Sequence, residues 1–273
     1  MPGPDTGGQA EPLEIAVCAQ HNNGGLAGNI WWESTNIKHL FVVGEVNGSH
    51  GVARPGGSAL NAGQVGGFRA AEFIANRYAN WTLDTEAIKA QAARQAGQLD
   101  QWMTAAKVAP RTWQAQRKEL QERMTKTGAH VRSPESLKNA VSEAWEQWSL
   151  MAKNACGFQG LEGLRDALNT RQLCYAHVIY LEALLFAVQS GVGSRGSAMV
   201  LDPKGVLPHP KLGEQWKFIP ENTDFRNKVL TSRIDSGGQV ISRWEERRAF
   251  PKTDSWFETA WAAFKKGQIY SVL

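Results

Sequence analysis

A glycine-rich stretch between Gly44 and Ala71 holds the residues of this chain that are best suited to bind a small molecule. It reads GEVNGSHGVARPGGSALNAGQVGGFRAA, with eight glycines, Glu45 at its start and Arg54 near its middle. Glycines allow close approach of a ligand or of another backbone because they carry no Cβ atom. A guanidinium such as that of Arg54 can hold a carboxylate through two parallel hydrogen bonds. The stretch therefore predicts a site for a flat, polar, electron-rich ligand with a carboxylate beside it.

The elements that would position these residues are two strands and a helix. The runs LEIAVCA, residues 13–19, and LFVVGE, residues 40–45, are apolar and predict short buried strands, the second of which ends at Glu45. A helix is predicted from about Ala59, and its first N–H groups would be directed at the ligand. Its first turns are rich in small residues, including Gly63 and Gly66, so one face of the helix must be closely approached.

The glycine-rich stretch, with the preceding TNIKHLFVV and QHNNGG, resembles a flavin-contacting segment of the succinate dehydrogenase and fumarate reductase flavoprotein family. The segment lies in the C-terminal part of those proteins, and its pattern runs from a His-containing Gly-Gly turn, through a strand ending in Gly-Glu, to H-G-A-N-R-x-G-G-N-S-L. This chain has Ser58 and Ala59 where that pattern has Asn-Ser, and its HNNGG turn is one residue shorter than usual. The residues that match in register are His50, Gly51, Arg54, Gly56, Gly57 and Leu60.

The resemblance implies an FAD cofactor and a role for each matching position. Arg54 would hold the substrate carboxylate, with His21 assisting it. Glu45 would contact the FAD, and the helix N-terminus would stabilise negative charge on the reduced flavin. No metal site is predicted. The full set of residues implied to bind the cofactor is Glu45, His50, Gly56, Gly57, Ser58, Ala59 and Leu60.

The rest of the chain predicts a helical bundle followed by a hairpin. Ser133 and Pro134 mark a helix start, and Gly191 suits the end of another helix. KVLTSRI and QVISRWEE, joined by DSGG, predict a β-hairpin, and DSWFETAWAAFKKG predicts a short terminal helix. The bundle helices are expected at about 85–108, 111–126, 134–152 and 161–189.

These elements predict an α/β fold with added helices, in which short strands and one helix complete an FAD-binding domain. A helical bundle with a terminal β-hairpin follows it. The expected divisions are a disordered lead-in at 1–12, the C-terminal segment of an FAD-binding domain at 13–80, a helical bundle at 85–190, and a turn, hairpin and terminal helix packed on the bundle at 191–273.

Composition narrows the function classes. A net charge of +4 from 30 basic and 26 acidic side chains, interleaved along the chain, gives no basic stripe for nucleic acid. The three cysteines form no C-x-x-C pair, so a reducing compartment is expected. The most apolar stretch, residues 174–188, is short and interrupted, so no membrane span and a cytoplasmic location are predicted.

GVGSRG, residues 191–196, matches a dinucleotide motif but follows a helix instead of a strand, which favours a turn.

The family's FAD domain opens with a strand, a G-x-G-x-x-G turn and a helix, and no such unit precedes residue 13. The chain is therefore expected to be the C-terminal portion of a flavoprotein oxidoreductase that transfers a hydride between FAD and a small carboxylate substrate. Its expected partner is the missing N-terminal FAD-domain half or a companion subunit. Two alternatives are a non-catalytic helical interaction module and one component of a split enzyme.

Overall fold

The structure is a computed structural model that describes residues 24–49, 57–196, 198–247, 249 and 254–271. The chain divides into two compact units, residues 1–70 and 71–273. Helix α1, Ser58–Arg77, contains the boundary between them. The strand predicted over residues 13–19 lies outside the described residues.

The first unit is a looped segment followed by the first part of α1. Residues 24–49 are held by isolated bridges, of which one joins Leu26 to Asn47 and another joins Glu33 to Phe41. Asn47 stabilises the loop internally, because its buried side-chain amide donates to the carbonyl oxygen of Val42 at 3.0 Å. The loop is therefore shaped by side-chain hydrogen bonds more than by a sheet.

The buried strand predicted over residues 40–45 is wrong: no strand forms there, and Leu40 and Val43 are exposed. Phe41 makes a single bridge and Val42 is buried, but Gly44–Val46 forms one 3₁₀ turn. Gly44 starts this turn with φ at +75°, a conformation that extended strands do not contain and that glycine adopts without strain. Glu45 consequently lies exposed in a turn and not at the buried end of a strand.

The second unit is built around a helical bundle, as predicted. Three of the four bundle helices begin at capping side chains, and Ser133 Oγ, for example, accepts from the N–H of Ser136 at 3.2 Å. Gly191 follows the last of them with φ at +78°, as expected for a left-handed C-terminal residue. The bundle helices are α2, Thr85–Ala106; α3, Trp113–Arg123; α4, Pro134–Asn154; and α5, Gly160–Gln189.

Two apolar clusters form the core of the bundle. One is centred on Met151 and Cys174, and the other on Leu137 and Leu181, and all four side chains are almost fully buried. By length and composition α5 is the one helix among the described residues that could cross a membrane. Its buried apolar residues, however, pack in these two clusters with residues of α2, α3 and α4.

Small sheets complete the second unit. Strand β1, Val131–Arg132, pairs in parallel with β2, Met199–Val206, a pairing that the sequence did not predict. The predicted hairpin is confirmed: β3, Lys228–Ile234, pairs antiparallel with β4, Val240–Glu246. A short last helix is also confirmed as α6, Trp256–Lys265. The fold is mostly helical with small sheets.

Candidate functional site

The N-terminus of α1 lies within the stretch that sequence analysis singled out. Gly57 precedes the helix with φ at +80°, and no atom of the residues that the structure describes lies within 4 Å of the place where its Cβ would stand. Asn61 N–H donates to the Gly57 carbonyl oxygen at 3.3 Å and closes the first helical turn. This turn contains no acidic residue, so the positive end of the helix dipole is not offset by a carboxylate of its own. The arrangement suits an anionic or electron-rich group.

The glycines further along α1 are approached by the protein's own loop. A Cβ atom at Gly63 would lie 3.3 Å from the Cα atom of Gly44. A Cβ atom at Gly66 would lie 2.6 Å from Nε1 of Trp32, closer than real Cβ atoms come to other atoms. The prediction that something approaches one face of this helix is confirmed, and within the first unit the approaching group is the loop of residues 24–49.

The contact at Gly63 brings the turn that contains Glu45 beside α1. The N–H of Asn47 donates to the Gly44 carbonyl oxygen at 3.1 Å and holds this turn closed. Glu45 is exposed in this turn. The described part of the predicted site thus comprises Glu45 and the start of α1, which lie on neighbouring segments.

Several predicted site residues lie outside the part of the chain that the structure describes. They are His21 and Arg54, expected to handle the substrate, and His50 and Gly56, expected to contact the cofactor. Their roles, like those expected for Ser58, Ala59 and Leu60 at the start of α1, remain predictions.

Sequence analysis did not identify the residues that hold the loop on α1. The guanidinium carbon of Arg69 lies 4.6 Å from the ring centroid of Trp31, and Arg69 Nε donates to the Ile30 carbonyl oxygen at 3.1 Å. Trp31 is buried, and Trp32 beside it has φ at +63°. The adjacent tryptophans were the signal in the sequence that could have identified this contact.

The GVGSRG turn follows α5 and serves the fold of the second unit. Gly193 has φ at +69°, and a Cβ atom there would lie 2.0 Å from the Pro220 carbonyl oxygen. Arg195 Nη1 donates to the Phe225 carbonyl oxygen at 2.9 Å, and its Nε lies 3.6 Å from Glu221 Oε1, beside a cavity of about 530 Å³. The expectation that this motif is a turn after a helix is confirmed.

A buried polar cluster lies in the bundle. Arg123, on α3, donates from Nη1 to Gln147 Oε1 at 2.8 Å and from Nε to Glu143 Oε2 at 3.1 Å. Burial and, to a smaller extent, the nearby charge of Arg123 lower the pKa of His177 on α5 to about 4, while the charge of Glu119 opposes the change. His177 is therefore neutral at pH 7. Arg123, Gln147 and His177 are buried in the bundle, and we assign them a structural role.

No protein-family model matches the chain. Over 63 residues, 23% of its length, the chain is 48% identical to one subunit of the fumarate reductase (CoM/CoB) of Methanothermobacter marburgensis, and the match covers 11% of that protein. The fold is similar to the FrdA chain of the E. coli quinol fumarate reductase, with a TM-score of 0.62 at 22% identity, over 85% of this chain and 38% of that one. It is also similar to Mycobacterium smegmatis Sdh1, with a TM-score of 0.56 at 18% identity, over 89% of this chain and 38% of that one.

The fold, mostly helical with small sheets, is therefore similar to the C-terminal region of a flavoprotein chain. The flavoproteins it resembles are those of fumarate reductase and succinate dehydrogenase, so the resemblance predicted from the sequence is confirmed. The chain spans 38% of the solved chains and 11% of the curated relative.

Proposed function

We propose that this chain is the C-terminal portion of an FAD-dependent oxidoreductase that transfers a hydride between FAD and a carboxylate-bearing substrate. It would act together with an N-terminal half that holds the rest of the FAD and the capping domain, on the same polypeptide or on a companion subunit. One observation carries the proposal. The segment with the family pattern forms a helix N-terminus without a first-turn carboxylate, beside an exposed Glu45.

The residues present fit a flavin. Gly57 has no side chain, and no described residue fills the place of its Cβ, so a ring system can approach the backbone at the start of α1. The partial positive charge of the helix end favours a ligand that carries negative charge. Bound FAD would supply the group that accepts or donates the hydride.

The remaining predicted residues take roles around this helix end. Arg54 would orient a substrate carboxylate through a bidentate contact, and His21 would donate a further hydrogen bond to the substrate. Glu45 and His50 would contact the cofactor, and Gly56 would allow its close approach. The substrate class that fits Arg54 is a small unsaturated carboxylate, in which hydride addition to one carbon is completed by a proton on the neighbouring carbon.

The proposal is tested by adding the part of the flavoprotein fold that this chain does not contain. We define the complementary fragment as the part of the Methanothermobacter marburgensis relative that precedes its 63-residue match to this chain. The chain alone is expected to be colourless after purification with excess FAD, because the pyrophosphate-binding unit supplies much of the affinity. The chain with the complementary fragment is expected to retain FAD and to oxidise a reduced viologen dye when fumarate is added.

If this chain alone were purified with one FAD bound per chain, the need for a second half would be contradicted. A mixture that retains FAD but reduces no unsaturated carboxylate would contradict the proposed reaction. A mixture that binds no FAD would favour the alternative, a helical interaction module without catalysis.

A further inference from the structure

Helix α6 carries a stripe of three aromatic side chains. Phe257, Trp261 and Phe264 are spaced four and three residues apart, which places them on one side of the helix. Their rings stack, with centroids 6.4 Å apart for the first two and 5.5 Å apart for the last two. The three side chains are 61%, 49% and 41% exposed, respectively. We call them the aromatic stripe of α6.

Contacts near its C-terminal end hold α6 in the second unit. The rings of Phe264 and Tyr270 meet edge to face with their centroids 6.3 Å apart, and Tyr270 is buried. The Tyr270 hydroxyl donates to Glu72 Oε2 at 3.0 Å. Ala260 and Ala263 are half-buried on the neighbouring side of α6. The aromatic stripe is therefore displayed along an anchored helix of the folded chain.

Two charged side chains of opposite sign border the stripe. Glu258 and Lys265 are seven residues apart, about two helical turns, so they lie on the same side of α6 near opposite ends of the stripe. Both are exposed. The Lys265 ammonium lies 5.9 Å from the ring centroid of Trp261, which places this charge at the edge of the stripe.

The stripe and its two charges are complementary to themselves when two helices pack antiparallel. With a two-fold axis close to Trp261, this residue meets its counterpart in a second copy. Phe257 of one copy then lies opposite Phe264 of the other. Glu258 likewise lies opposite Lys265, twice in each pair. A parallel pair would put the charged edges of the two copies on opposite sides of the contact, so only the antiparallel pair brings opposite charges together.

We propose that the aromatic stripe of α6 is the contact surface of a homodimer, in which two copies of α6 pack antiparallel about a two-fold axis near Trp261. An anionic lipid surface matches less well, because it would attract Lys265 and repel Glu258 at the same edge. Two ten-residue helices bury less than the roughly 1,200 Å² of a stable interface, so the dimer is expected to dissociate in the micromolar range. The inference uses no residue of the proposed flavin site, so the two proposals can fail separately.

Sedimentation velocity of the full chain over a micromolar concentration series measures the dimer. The wild-type chain is expected to change from monomer to dimer as the concentration rises. Trp261→Ser is expected to raise Kd about tenfold or more, because each dimer loses the central contact in both copies. Leu161→Ser is the matched control, because Leu161 is 85% exposed but lies on α5, and its Kd should equal that of wild type.

Charge reversal tests the antiparallel register. Glu258→Lys and Lys265→Glu are each expected to raise Kd about threefold to tenfold, because two ion pairs per dimer become like-charge contacts. The double variant has opposite charges facing each other again, so its Kd is expected to return to within about twofold of wild type. Such a recovery cannot come from a change in folding.

All variants are expected to keep the wild-type melting temperature, since the substituted side chains are exposed. A wild-type chain that stays monomeric throughout the series, or equal Kd values for Trp261→Ser and wild type, would overturn the proposal. A double variant that dimerises no better than the single ones would also overturn it. Binding of a monomeric chain to phosphatidylglycerol vesicles that is lost in Trp261→Ser would overturn it as well, because a lipid surface would then be the occupant.

Discussion

The indole ring of Trp32 lies directly against the backbone of Gly66 in helix α1. A Cβ atom at Gly66 would lie 2.6 Å from Nε1 and 2.7 Å from Cε2 of that ring. Trp32 itself has φ at +63°, a conformation that a bulky residue adopts only where its surroundings hold it there. The contact between these two residues therefore fixes the loop of residues 24–49 on the helix that leads from the proposed flavin site.

Gly66→Ala is expected to destabilise the first unit. The added methyl group must displace the Trp32 ring, and overpacking of this kind costs about 1–3 kcal/mol. The measurement is hydrogen exchange of the amides in residues 24–49, which should become faster than in wild type while α4 and α5 stay protected. Gly67→Ala is the control, because nothing lies within 4 Å of a Cβ at Gly67. It should stabilise α1 by up to about 1 kcal/mol through helix propensity. Equal exchange in the two variants would contradict the role of the contact.

The His177 side chain is expected to make the stability of the bundle depend on pH. Its pKa is lowered by burial to about 4 in the folded chain, below the ordinary value of 6.5. Between these two values the unfolded chain binds more protons than the folded one, so the free energy of unfolding falls as the pH falls from about 6.5 to 4. The loss from this group is at most about 3 kcal/mol.

Urea unfolding at pH 7, 5.5 and 4.5 would measure this dependence. His177→Leu should flatten the slope between these pH values, because the titrating group is removed from the core. His209→Gln, at an exposed position, should keep the wild-type slope. A wild-type slope in His177→Leu would show that other groups cause the acid sensitivity.

The turn after α5 allows a comparison of two glycines that both have positive φ. Gly193→Ala is expected to destabilise the second unit more than Gly191→Ala, as measured by thermal unfolding. Both substitutions strain the backbone by about 1–2 kcal/mol. At Gly193 the Cβ atom would also lie 2.0 Å from the Pro220 carbonyl oxygen, whereas nothing lies within 4 Å of it at Gly191. Equal melting temperatures for the two variants would show that the turn after α5 can move away from Pro220 at little cost in stability.

Arg54 is the side chain whose substitution should affect turnover most, if the proposed function is correct. In the complex of this chain with the complementary fragment, Arg54→Lys keeps the charge but loses the bidentate contact to a carboxylate. A misplacement of the reacting carbon by about 1 Å costs on the order of a hundredfold in rate, so turnover should fall by about that factor. Flavin absorbance should stay unchanged. Arg77→Lys, at the exposed end of α1, is the matched control and should keep wild-type turnover. Unchanged turnover in Arg54→Lys would show that Arg54 does not orient the substrate.

Local signals in the sequence were enough for much of the second unit. The cap at Ser133, Pro134 after it and the glycine-containing turn between β3 and β4 each act within a few residues. The structure accordingly has these elements close to the predicted limits. The family pattern in the glycine-rich stretch is also local, and the confirmed resemblance depended on it.

Only the tertiary structure decided how the first unit is held together. Whether residues 44–46 extend a strand or close a turn depends on Gly44 meeting Gly63, and the left-handed conformation of Trp32 depends on its contact with Gly66. The parallel pairing of β1 with β2 likewise joins segments far apart in the chain. Such contacts leave no periodic pattern in the sequence, because each is set by the space between two segments and not by the preference of either one. The sequence by itself determined the helices, the hairpin and the family resemblance, and the packing of distant residues decided the shape of the loop beside the proposed flavin site.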